Sequence, residues 1–90
     1  MLTIHKVKLS AEDHTTAWLP NGSKIVSFQM QDDNPTIWYL CDPSAEREPR
    51  KFRLAGTGHP IKERVGQFTY IGTAMSFNHR LVLHLFEITA

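Results

Sequence analysis

From Lys24 to Gln31 the side chains take turns: Val26, Phe28 and Met30 alternate with Ser27, Gln29 and Gln31. A two-residue repeat sends successive side chains to opposite faces, so this segment predicts a half-buried β-strand. Asp32-Asp33-Asn34-Pro35 comes next as a turn signal. Thr36 to Cys41 then begins a second strand, rich in β-branched and aromatic residues, and the two runs form a hairpin. Asp42 to Pro49 is a polar loop bounded by prolines. Arg50 to Ala55 predicts a third strand, with Phe52 and Leu54 on one face and Lys51 and Arg53 on the other. Alternation returns from Gln67 to Ala74, where Phe68, Tyr70 and Gly72 oppose Thr69, Ile71 and Thr73. Leu81 to Ile88 is apolar on both faces apart from His84 and Glu87, which makes it a central strand or one covered by a second protomer.

The N-terminal part is less regular. Leu2 to Leu9 reads as a strand, but Leu2 and Ile4 lie on one parity and Val7 and Leu9 on the other; a β-bulge near His5-Lys6 would reconcile them. Thr15 to Leu19 is a short extended segment, and Pro20-Asn21-Gly22 is a turn. Ser10-Ala11-Glu12-Asp13 resembles the start of a helix, yet the chain continues in a strand-like pattern. The pattern therefore predicts an all-β, mainly antiparallel fold: a small barrel or sandwich of six to seven strands, with little or no helix, forming a single domain over residues 1–90.

Length and charge narrow the function. A chain of 90 residues buries a modest core and leaves little depth for a cleft within one protomer, so a site at a homo-oligomer interface is expected. Ten Lys and Arg against nine Asp and Glu leave a net charge of +1, which argues against nucleic-acid binding by bulk electrostatics. The charge is uneven, however: Arg47, Arg50, Lys51, Arg53, Lys62 and Arg64 form one cationic stretch. The single cysteine, Cys41, excludes an internal disulfide and sits in an apolar run as a small buried hydrophobe. No secretion signal or membrane-length apolar run is evident, and a cytoplasmic setting is expected.

Within the cationic stretch lies Gly56-Thr57-Gly58-His59-Pro60. Glycine reaches positive φ freely, so such a loop can turn its amides outward. With the Thr57 hydroxyl, the His59 imidazole and the guanidinium groups of Arg50 and Arg53, it has the donors an anion such as a phosphate needs. The competing account is a tight connection that needs glycine for its geometry alone. Trp38 and Tyr39 are adjacent in a strand and face opposite ways, so one of them is a candidate to stack on a flat ligand. The five histidines and one cysteine lack metal-ligand spacing, so no metal or cofactor is expected. His14-Thr15-Thr16 matches one half of a two-histidine phosphoesterase motif without the second copy, and no nucleophile context surrounds the serines. Catalysis is not expected.

Several blocks together resemble an uncharacterised family of small phage-encoded proteins, a domain of unknown function. They are Leu19-Pro20 with Lys24 to Gln29, Trp38-Tyr39-Leu40 with Asp42-Pro43, Phe52 to Ile61, Tyr70 to Thr73 and His84 to Glu87. The resemblance implies a biological setting, an infected bacterial cell, rather than a mechanism. In that setting the expected function is non-enzymatic sequestration of a phosphorylated, nucleotide-like immune messenger. Gly56, Thr57, Gly58 and His59 would touch phosphate, Arg50 and Arg53 would neutralise it, and Trp38 or Tyr39 would stack. The alternative is a protein–protein interaction module that inhibits a host defence enzyme or serves phage assembly, using the last strand and the exposed aromatics.

Overall fold

In the computed structural model, which describes residues 1–76 and 78–89, seven strands build two antiparallel sheets. The strands are β1 (Thr3–Lys8), β2 (His14–Pro20), β3 (Lys24–Gln31), β4 (Asn34–Cys41), β5 (Arg47–Gly56), β6 (Phe68–Met75) and β7 (Val82–Ile88). One sheet has the order β1-β4-β3, the other β2-β5-β7-β6. A 3₁₀ turn, Val65–Gln67, precedes β6. Both sheets are antiparallel, and the all-β sandwich agrees with the alternation along the chain.

The core forms where the inward parities of the two sheets meet. Ile37, Tyr39 and Cys41 of β4 and Phe28 of β3 face Ala17 and Leu19 of β2, Phe52 and Leu54 of β5, Leu85 of β7 and Ala74 of β6. Leu19, Ile37, Phe52 and Leu85 are fully buried, and burying side chains of this size contributes about 1.5–3 kcal/mol each. Leu85 is central as the pattern of its strand predicts, because β7 pairs with β5 on one side and β6 on the other.

Three local features differ from the expectation. The β3–β4 connection is a two-residue turn, Asp32-Asp33, with φ of 50° and 59°. Left-handed residues at both central positions give the turn the twist that antiparallel strands require, so Pro35 sits inside β4 opposite Met30 rather than in the turn. At the other end β5 begins at Arg47 and takes in Pro49. From Arg47 to Lys51 this strand pairs with β2 alone, and a proline lacking an N–H is tolerated where one side is unpaired. Finally, β1 runs against β4 in unbroken register from Thr3 to Lys8, so the bulge expected at His5-Lys6 is not there. Leu2 and Ile4 change parity because they point outward and are exposed, whereas Leu9 is buried.

The bulges lie elsewhere. In β3 the register shifts between Ile25 and Ser27, so Ile25 packs inward and Val26 is exposed, leaving Val26 out of the face it would share with Phe28. In β6 it shifts between Tyr70 and Gly72, with Ile71 as the extra residue packed against the core. The second shift brings Tyr70 and Thr73 onto one face, although their spacing assigns them to opposite faces.

Candidate functional site

The Gly56-Thr57-Gly58-His59 segment is a β-turn at the end of β5, closed by the His59 amide donating to the Gly56 carbonyl at 3.1 Å. Gly58 takes its third position with φ of +85°, where a side chain would be strained. Gly56 is approached by a side chain instead: a Cβ there would lie 2.8 Å from the exposed His59 ring, which would have to turn away. Gly58 thus has a structural cause in its backbone, and the ring of His59 folds back on Gly56.

The two arginines expected to neutralise a guest are committed within the fold. Arg50 points between the sheets and makes a bidentate pair with Glu87 of β7, Nε to Oε2 and Nη2 to Oε1, the latter at 2.8 Å. Its Nη1 donates to the Ser23 carbonyl at 2.8 Å, tying β5 to the β2–β3 turn. The Glu87 hydrogen bond holds the Arg50 guanidinium charged to even higher pH than usual.

Arg53 is on the outward parity of β5, yet it is only 5% exposed, because residues 57–67 fold over it. Its Nε donates to Glu63 Oε1 at 3.0 Å, Nη2 to the Pro60 carbonyl at 3.1 Å and Nη1 to the Leu54 carbonyl. The Asp13 carboxylate lies 3.7 Å away, and His14 Nε2 stands 3.4 Å from the other Glu63 oxygen. Burial pushes the Glu63 carboxyl up, but the Arg53 hydrogen bond and charge, followed by those of His14, hold it below its ordinary value. Arg53 and Glu63 therefore latch the 57–67 segment to the sheet. For Arg50 and Arg53 to serve a phosphate, these bonds would have to break first.

The aromatic candidates are also separated from the loop. Tyr39 is 3% exposed, in the core and edge-on to His5, so it has no free face for a ligand. Trp38 is half-buried on the outer face of the β1-β4-β3 sheet, whereas the loop belongs to the other sheet. The hollow beside the turn, about 210 Å³, is lined by Gly56 and His59 together with Leu54, Leu81, Leu83 and the acidic residues Glu12 and Asp13. Two acidic residues and no arginine or lysine line it, which disfavours a phosphate. The eight residues singled out from the sequence are not brought together around one cavity.

The structure assembles a different constellation on the outer face of β6 and β7. His84 Nε2 is 2.7 Å from the Thr57 hydroxyl and its Nδ1 is 2.8 Å from the Thr73 hydroxyl, while Tyr70 OH lies 2.6 Å from Thr73 Oγ1. A neutral imidazole has one donor and one acceptor nitrogen, so one threonine donates to the ring and the other accepts from it. Phe86 lies beside this row, 4.6 Å edge-on from Phe68 and 5.6 Å from Tyr70 between ring centroids. Tyr70 is 57% exposed, and Met75 is exposed further along β6. Thr57 joins the glycine turn to this surface. The sequence signals for it were the Thr57 hydroxyl in the glycine loop and His84 between apolar neighbours, though not their meeting; the β6 bulge that aligns Tyr70 with Thr73 leaves no mark in the alternation.

Among the described residues no group of three or more His, Cys, Asp or Glu is placed to hold a metal ion, and no helix is long and apolar enough to cross a membrane. No curated protein and no solved structure matches the chain. One family does: the model of the Domain of unknown function (DUF7352) matches residues 1–90, end to end, and the chain belongs to that family.

Proposed function

We propose that this domain is a non-catalytic protein-interaction module whose contact surface is the outer face of β6 and β7. The observation that carries it is the contrast between the spent arginines and an exposed tyrosine set against two half-buried phenylalanines. Arg50 and Arg53 have their donors bound inside the fold, while Tyr70, Phe68 and Phe86 form an apolar patch with a hydrogen-bonding row beside it. Interface cores favour such aromatics, because they remove a large area from water and hold a polar tip in place. The His84–Thr73–Tyr70 bonds fix the Tyr70 ring before any partner arrives, which lowers the ordering cost of binding. In a phage setting the partner would be a host protein, a defence enzyme for example, or a component of phage assembly.

Capture of a phosphorylated messenger at the glycine turn has less support, because it needs Glu63 to leave Arg53. The test is paired capture from bacterial lysate with the wild-type protein and with Tyr70→Glu, both confirmed folded. A polypeptide retained by the wild type and lost with Tyr70→Glu is the expected result. Equal retention by both baits would remove the β6–β7 face from the account.

A further inference from the structure

The opposite surface of the molecule carries a second pattern, set by the register of the β1-β4-β3 sheet. Its outward residues form three transverse rows: Ile4–Leu40–Lys24, Lys6–Trp38–Ser27 and Lys8–Thr36–Gln29. Trp38 stands at the centre of this grid, half-buried, with lysines on both outer strands. None of the nine positions is acidic. With strands about 4.8 Å apart and same-face neighbours about 6.7 Å apart, Lys8 and Lys24 at opposite corners are about 16 Å apart. Lys6 Nζ donates to Gln31 Oε1 at 2.8 Å, laying its alkyl chain along the face with its charge kept. Acidic residues flank the face at the ends of the strands, Asp32 and Asp33 in the β3–β4 turn among them. Asp32, in the β3–β4 turn, shares a shallow hollow with Lys6 and Lys8, and Asp42 comes directly after β4.

We infer that this face binds single-stranded nucleic acid, with a base stacked on Trp38 and phosphates on Lys6, Lys8 and Lys24. A cationic surface around an aromatic side chain is how sequence-tolerant single-strand binders work. Net charge averaged over the chain hides this. Arg50 and Arg53 of the other sheet pair with Glu87, Glu63 and Asp13, whereas Lys6, Lys8 and Lys24 are exposed around the indole. Ser27, Gln29 and Gln31 add neutral donors and acceptors that suit base edges. An acidic protein would satisfy the lysines equally but would not require an aromatic at their centre. The site is independent of the β6–β7 surface, and Tyr70→Glu leaves it unchanged.

The experiment is fluorescence anisotropy of a labelled oligo-dT of about 12 nucleotides, within the roughly 4–16-nucleotide sites of small β folds. Three phosphate contacts predict a slope of log affinity on log salt of about −2, and Lys8→Gln reduces its magnitude by about 0.7. In a Trp18→Phe background the remaining indole fluorescence is quenched on binding. Trp38→Ala weakens binding at least about five-fold, the lower end for loss of one base stack. Should that variant fail to fold, Lys6→Gln with Lys8→Gln, both on exposed side chains, tests the same surface. Three results would overturn the inference. One is no binding at low salt by the folded protein up to about 100 μM, the weak end of non-specific affinity. Another is a salt slope indifferent to the lysine substitutions. The third is equal binding of polyglutamate, which would assign the face to an acidic protein.

Discussion

Replacing Glu87 by glutamine tests whether Arg50 serves the fold. The substitution keeps the shape of the side chain and one acceptor oxygen but removes its charge, so the Arg50 guanidinium loses its close counter-charge and one hydrogen bond, and keeps the Ser23 carbonyl and the outlying Glu48, 3.9 Å away. Removing one member of a fully buried ion pair costs about 3–5 kcal/mol. Both side chains here are 18% exposed, so water reaches the orphaned charge and the cost falls towards that of charge-assisted hydrogen bonds, about 2 kcal/mol. For a domain of this size such a loss lowers Tm by about 8–16 °C. Thermal melts followed by far-UV circular dichroism measure it, and a double-mutant cycle isolates the pair. Arg50→Met with Glu87→Leu should recover much of the loss, because apolar replacement of a buried pair is often close to neutral. The reasoning fails if Glu87→Gln moves Tm by less than about 2 °C, or if the two single effects simply add.

Other consequences can be checked separately. Because Glu63 is held below its ordinary pKa of 4.5, the latch it forms with Arg53 is at full strength above that value and is lost as the pH falls through the lowered one. Hydrogen exchange of residues 57–67, compared with the core strands as acid is added, should show the segment opening first; Glu63→Gln should open it at neutral pH. Gly58→Ala should destabilise by about 1–2 kcal/mol through its left-handed backbone alone, since nothing lies within 4 Å of the added carbon. Gly56→Ala should cost less than Gly58→Ala, because the added carbon meets only the exposed His59 ring, which can turn away; urea titration measures both. Cys41, 2% exposed in the core, should react with a thiol reagent only as fast as the protein unfolds.

The sheet content was legible because alternation survives wherever a strand has one wet face, as from Phe28 to Gln31 and through Phe52 and Leu54. Two bulges were not, since an extra residue such as Val26 or Ile71 shifts the phase without leaving a compositional mark. A parity slip in the N-terminal segment gave a false bulge instead: Ile4 is simply an apolar residue on an outward face. Pro49 read as a loop residue because a one-sided strand tolerates what a central strand does not. The pairing of the two arginines was not legible for an electrostatic reason. Arg50 and Arg53 look free along the chain, but their partners Glu87 and Glu63 lie 37 and 10 residues away and meet them only through the sheet and the 57–67 fold-back. His84 and Thr57, 27 residues apart, meet in the same non-local way.

The measurement that bears most directly on the arginines' role is a thermal-shift and calorimetric titration of the folded protein with cyclic nucleotides and ADP-ribose derivatives. A flat response across the panel is predicted, because the guanidinium groups are already paired. A guest at a hundredfold excess over its dissociation constant would add about 2.7 kcal/mol of stability. A shift of that size, abolished by Arg53→Gln in a chain that still folds, would contradict the account and return the glycine turn to the centre of the function.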